Sequence, residues 1–227
     1  ADLPYSWVDV NNRRAFLRAT EFLLDLGHSR IGLVNGLEHM DFAIRRRSGY
    51  ADALAARGIA LDPALMSSDE MTEVAGYRAA GRMLDLPDPP TALLAASMIS
   101  GMGVRRAIEG RGLKMGRDVS VIIFDDELSY LRNGEDLPIF TATRSSVRDA
   151  GRIAAQMLLD LIADPDNAVQ HRLLHRRRQG FERGLDVKAV MPGQALQQRK
   201  VVAVAPVPAL DGTAGQTQRG EGHHPRR

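Results

Sequence analysis

Three short apolar runs constrain this chain more than any other feature: Arg30-Ile-Gly-Leu-Val34, Thr91-Ala-Leu-Leu-Ala95 and Val119-Ser-Val-Ile-Ile-Phe124. Each is too short for a helix and nearly apolar throughout, the pattern of a strand covered on both faces. The first is bounded by Gly27-His28 and Asn35-Gly36, residues that punctuate strands. Between the runs lie segments of helical spacing. Residues 42–57 place Phe42, Tyr50, Ala51, Leu54 and Ala55 on one side and stop at Gly58. Thr72 can cap a helix through Leu86, which Pro87 and the Pro89-Pro90 pair terminate. Residues 99–111 form a further helix closed by Gly112. The order strand, helix, strand, helix, strand predicts parallel strands with helices on both faces, a doubly wound α/β sheet.

Flanking segments extend the pattern. From Asn12 to Leu26, Ala15, Phe16, Ala19, Phe22, Leu23 and Leu26 line one helical face, and Gly27 supplies a left-handed stop. Ile139–Thr143 alternates like a strand, and Ser146–Ala163 repeats Val147, Ala150, Ile153, Ala154, Met157, Leu158 and Leu161 along one side. Val169–Leu174 supplies a last strand.

At 227 residues the chain accommodates one large globular unit with an appendage. It can bury about 70% of its unfolded surface without disulfides or a structural metal. Cysteine is absent, which excludes thiolate nucleophiles and Cys-ligated zinc or iron–sulfur clusters. No run approaches the roughly 18 apolar residues of a membrane span, and residues 1–10 carry neither the basic region nor the apolar stretch of a secretory signal. Residues 172–227 hold 11 Lys/Arg against 4 Asp/Glu, leaving 19 against 24 before them. Residues 175–227 therefore read as a basic, poorly ordered tail, either a nucleic-acid arm or an unstructured extension from a shifted reading frame.

In doubly wound sheets ligands bind beyond the carboxyl ends of the strands, and polar residues follow each apolar run here. The first delivers Asn35-Gly36 and leads to Arg45-Arg46-Arg47, the second delivers Ser97, and the third Asp125-Asp126. A guanidinium donates in a planar fork and a carboxylate accepts at two oxygens, so Arg46 with Asp125 can bracket a polyhydroxylated molecule such as a sugar. Blander roles stand beside these. Arg46 can be one solvated arginine among three, and Asp125-Asp126 can cap a turn or hold Mg²⁺. No third carboxylate follows another strand, so no metal and no cofactor are expected. Ser97 lacks the G-x-S-x-G elbow of a nucleophile. His28, just past a helix stop, is expected to serve structurally with its charge toward the helix dipole. Gly101-Met-Gly103 lacks the rest of a dinucleotide fingerprint and reads as packing. Met66, Met71, Met83, Met98 and Met102 read as core or gap-filling residues.

Several segments together carry a family resemblance. Asn11-Asn12 with Leu26-Gly27-His28-Ser29-Arg30-Ile31, then Arg46-Arg47-Ser48-Gly49-Tyr50, Gly76-Tyr77, Pro87-Asp88-Pro89-Pro90-Thr91-Ala92 and Asp118-Val119-Ser120-Val121-Ile122-Ile123-Phe124-Asp125-Asp126 occur in order. The set resembles the effector-binding region of the lactose/galactose-repressor family of transcription regulators, over about residues 4–174. The resemblance implies a periplasmic-binding-protein-like core, mainly its second lobe plus helices of the first, with residues 1–174 as an effector domain incomplete in its N-terminal lobe. It implies a sugar-responsive regulator, a cytoplasmic homodimer and no enzyme, whose operator DNA is bound by an N-terminal head absent from this chain and whose partner is a small carbohydrate. By motif position Arg46, Ser97, Asp125 and Asn11 are the effector contacts, Asn11 standing where many members carry aspartate. Met98 departs from a common acidic residue, and residues 175–183 depart from the family's closing strand. Helices 12–26 and 146–163 resemble elements of the first lobe and are expected to expose apolar faces. The alternatives are a solute-binding protein of a sugar transport system, or a Mg²⁺-dependent α/β enzyme or receiver using Asp125-Asp126.

Overall fold

The computed structural model describes residues 4–126, 133–134 and 138–174. The elements follow in order: β1 (Trp7–Val10), α1 (Asn12–Asp25), β2 (Ile31–Asn35), α2 (Asp41–Ala55), β3 (Met66–Ser68), α3 (Glu73–Leu84), β4 (Ala92–Ala95), α4 (Met98–Glu109), β5 (Ser120–Asp125), β6 (Thr141–Arg144), α5 (Val147–Ala163) and β7 (His171–Leu174). Five strands form an all-parallel sheet in the order β3-β2-β4-β5-β6. From β2 the chain steps outward to β3 and then returns to β4 on the other side of β2. The carboxyl ends of β2 and β4 therefore flank the point where the winding reverses, the place where such sheets open a crevice.

Strand alternation divides the core in two. Leu33, Ile122 and Phe124 pack under α1 and α2 with Phe16, Leu23 and Tyr50, whereas Val34, Leu93 and Ile123 pack under α3 and α4 with Met83 and Ile108. Each helix pair crosses at a glycine. A Cβ at Gly49 would stand 2.0 Å from the Arg13 carbonyl oxygen of α1, and one at Gly103 would stand 2.0 Å from that of Glu73 of α3. The Gly-Tyr pair at 49–50 and the Gly101-Met-Gly103 segment are thus packing devices. Tyr50, fully buried, donates its hydroxyl to the Ile31 carbonyl at 2.7 Å.

The structure departs from expectation at four points. Strand β3 intervenes between α2 and α3. It is three residues long and only partly apolar, so it carries no strand signature of its own. Helix α1 does not expose its apolar side: Phe16, Ala19, Leu23 and Leu24 lie in the core and α1 packs along α2. Only α5 behaves as expected of both, with no buried residue and with Leu158, Leu159 and Ile162 more than half exposed. Strand β7 pairs with β1 in a separate two-stranded parallel sheet instead of extending the larger one. His28 is not a charged partner of the helix dipole. It is 1% exposed, contacts Thr91 Oγ1 at 2.8 Å and Ser120 Oγ at 3.0 Å, and burial lowers its pKa to about 4, leaving it neutral. The expected basic tail lies outside the described residues. No helix among those described is long and apolar enough to cross a membrane.

Candidate functional site

The site is built around Arg46. Helix α2 has no side-chain N-cap, but Asn35 at the end of β2 donates Nδ2 to the Ala43 carbonyl at 2.9 Å and so ties the helix's first turn to the sheet edge. One turn further on, Arg46 leaves α2 on its inner side and is 6% exposed. Its neighbours face elsewhere: Arg45 pairs with Asp41 at 2.6 Å and Asp9 at 3.6 Å, and Arg47 with Glu38 at 3.3 Å, all in partly exposed positions.

Three aromatic rings enclose the guanidinium, with centroids at 4.2 Å for Phe124, 4.8 Å for Phe42 and 5.3 Å for Phe16. Such contacts stabilise a cation withdrawn from water. Nε donates to Asn12 Oδ1 at 2.9 Å and Nη1 to the Ala96 carbonyl, just beyond β4, at 2.9 Å. Nη2 makes no hydrogen bond to a described residue. Burial lowers the Arg46 pKa to about 10, and the nearby charge of Asp126 acts in the opposite sense. The group therefore remains a cation at neutral pH, with donors to offer at the reversal of the sheet.

The other expected contacts lie on the same edge with partners of their own. Asn11 caps α1, its Oδ1 accepting from Arg14 N at 2.9 Å, and its own N–H donates to the Leu174 carbonyl of β7 at 3.3 Å. Ser97 caps α4, accepting from Ser100 N at 3.1 Å and meeting Ser100 Oγ at 3.0 Å. Asp125, at the end of β5, is 7% exposed and its Oδ2 lies 3.4 Å from Arg144 Nε of β6, its register partner. Arg46 lies over the ring of Phe124, the residue before Asp125, and the carboxylate whose field acts on Arg46 is that of Asp126. Among the described residues no three His, Cys, Asp or Glu side chains are grouped to hold a metal ion.

Asn12, Phe16, Phe42 and Phe124 belong to this site and carried no functional reading in the sequence. The phenylalanines read as core; Phe16 and Phe124 are buried there, whereas Phe42 is only partly buried. Asn12 had a signal: it stands four residues before Phe16 on the apolar stripe of α1, where a buried asparagine requires a partner. Met71, read as a core or gap-filling residue, is 37% exposed, its sulfur 4.0 Å from Arg46 Nη1.

A parallel sheet wound on both sides, with polar groups gathered where the winding reverses, has the layout of a small-molecule-binding module. The chain belongs to the periplasmic binding protein-like domain family, whose model matches residues 20–179. It is similar to the HTH-type transcriptional regulator AglR of Rhizobium meliloti, 45% identical over 163 residues, which are 71% of this chain and 46% of that protein. A solved structure of a transcriptional regulator CelR–cellobiose complex superposes with a TM-score of 0.69 at 29% identity, over 79% of this chain and 54% of that one. A regulatory protein of the LacI family from Chloroflexus aggregans gives 0.68 at 26% identity, over 80% of this chain and 66% of that one. The chain spans about half the length of the curated relatives it matches.

Proposed function

We propose that this chain is the effector-binding part of a sugar-responsive transcriptional regulator of the LacI type, in which a small neutral carbohydrate is gripped at the Arg46 rim. The observation that carries this reading is the buried guanidinium, held by Asn12 and the Ala96 carbonyl with Nη2 left over for a guest. Asn11, Ser97 and Asp125 are the further contacts. Amide, hydroxyl and carboxylate oxygens are the acceptors that sugar hydroxyls donate to. The relatives' names favour a regulator, and the cellobiose complex of one neighbour favours a saccharide.

No bond is made or broken in such a device, and no enzyme activity is proposed. The ligand acts through different affinities for two conformations, with hinge closure as the movement. The β1–β7 pair and α5 would belong to a first lobe, and the operator would be read by a helix-turn-helix outside the described residues, in a cytoplasmic homodimer. The test is isothermal titration of the chain and of Arg46→Ala with glucose, maltose, melibiose, cellobiose and raffinose. A charged hydrogen bond is worth about 1.5–3 kcal/mol, so the variant should bind the preferred saccharide at least about tenfold more weakly. Unchanged affinity would remove Arg46 from the site.

A further inference from the structure

We propose that Asn35 is an acceptor on the same guest and makes the site select hydroxyl groups over anions, an inference that rests on reading the Arg46 rim as the effector site. Asn35 ends β2, is 2% exposed, and donates Nδ2 to the Ala43 carbonyl. A carbonyl only accepts, so the amide cannot be turned the other way without setting two oxygens face to face. Oδ1 is therefore the other atom of the group. It is buried and has no hydrogen-bond partner among the described residues. An acceptor withdrawn from water and left unmatched is costly, and native structures keep such atoms where a water or a guest completes them.

Its neighbourhood identifies the guest. Val34 pairs with Ala95, which sets Asn35 beside Ala96, and Ala96 is the residue whose carbonyl receives Arg46 Nη1. A Cβ at Gly36, next along the chain, would meet the Phe42 ring at 3.1 Å and Met71 at 3.4 Å, and both of these side chains touch Arg46. The unmatched acceptor and the Nη2 donors thus belong to one cluster at the reversal of the sheet. A guanidinium only donates and this amide oxygen only accepts. A hydroxyl accepts from the first and donates to the second through one oxygen. A carboxylate or phosphate accepts from Arg46 but sets its negative charge against Asn35 Oδ1. Arginine alone would favour anions, and Asn35 turns the preference toward neutral polyols.

Two measurements on the full chain test this. In the first, the wild-type chain and Asn35→Ala are titrated with the five saccharides named above and with glucuronate and galacturonate. The expected result is a loss of at least fivefold for the preferred neutral saccharide and a neutral-to-acid affinity ratio lowered by a similar factor, a change that general loosening of the site does not produce. An unchanged ratio, with Arg46→Ala impaired, overturns the role of Asn35 and leaves the effector site standing. In the second, a high-resolution crystal structure of the wild-type chain should place a water or guest oxygen within hydrogen-bond reach of both Asn35 Oδ1 and Arg46 Nη2. Oδ1 bonded to a protein donor instead overturns the proposal. This second result decides the matter even where Asn35→Ala fails to fold or no saccharide binds, the latter outcome counting against the effector reading alone.

Discussion

Arg46 shows how much a single side chain depends on its surroundings. Three consecutive arginines are chemically equal, yet only the middle one is carried under α1 and against Phe124, where burial brings its pKa down to about 10 while the rings and Asp126 keep it charged. His28 answers burial in the opposite way, by giving up its proton. Its pKa of about 4 lies below the ordinary 6.5, so between these values the unfolded chain binds more protons than the folded one and stability rises with pH. The contribution is complete above pH 6.5 and is lost as pH falls toward 4, by up to about 3 kcal/mol at roughly 1.4 kcal/mol per unit. Urea unfolding between pH 7.5 and 4.5 should show this acid loss, and His28→Gln should flatten it. A variant with the wild-type slope would show that His28 does not titrate in this range.

At the scale of elements the decisive contacts are those between helices. Gly49 and Gly103 let α2 and α4 approach their neighbours until backbone meets backbone, and a methyl group at either would stand 2.0 Å from a carbonyl oxygen. Gly49→Ala should therefore lower stability by about 1–3 kcal/mol or more, because neither partner is a flexible side-chain tip. Gly151→Ala in α5 is the control. Nothing lies within 4 Å of its added methyl, and helix propensity should raise stability by up to about 1 kcal/mol. Urea midpoints of the two variants check both signs. Much of this was legible in the sequence: four of the five sheet strands, the Thr72 cap and the stop at Gly27 stand where the residues placed them. Strand β3 was not, since Met66-Ser67-Ser68 becomes a strand only because β2 has a free edge to pair with.

For the molecule as a whole, the described residues divide by how they are supported. The five-stranded sheet and α1 to α4 share a continuous interior on each face, whereas α5 contributes no buried residue and leaves Leu158, Leu159 and Ile162 in contact with solvent. Local opening costs little where few apolar contacts must be broken. Hydrogen exchange should find the α1 amides around Phe16 to Leu23 protected close to the global limit, and those of α5 exchanging orders of magnitude faster. Equal protection of both helices would overturn this expectation and mean that α5 is covered in solution. Both segments resemble elements of a first lobe, so the same expectation of an exposed apolar face attached to both, and it held for α5 alone.

Local chemistry carried by the chain alone determined the strand and helix types, the parallel winding and the polar character of the residues that follow each strand. Those features depend on neighbours a few positions apart, so spacing records them. Tertiary structure decided which arginine is buried, that Asn12 and the Ala96 carbonyl hold it, that Asn35 keeps an unmatched oxygen beside it, and that α1 is covered while α5 is not. These outcomes join residues as far apart as Asn12, Arg46, Ala96 and Phe124. Burial there is set by what the fold brings alongside, a quantity that no local pattern contains.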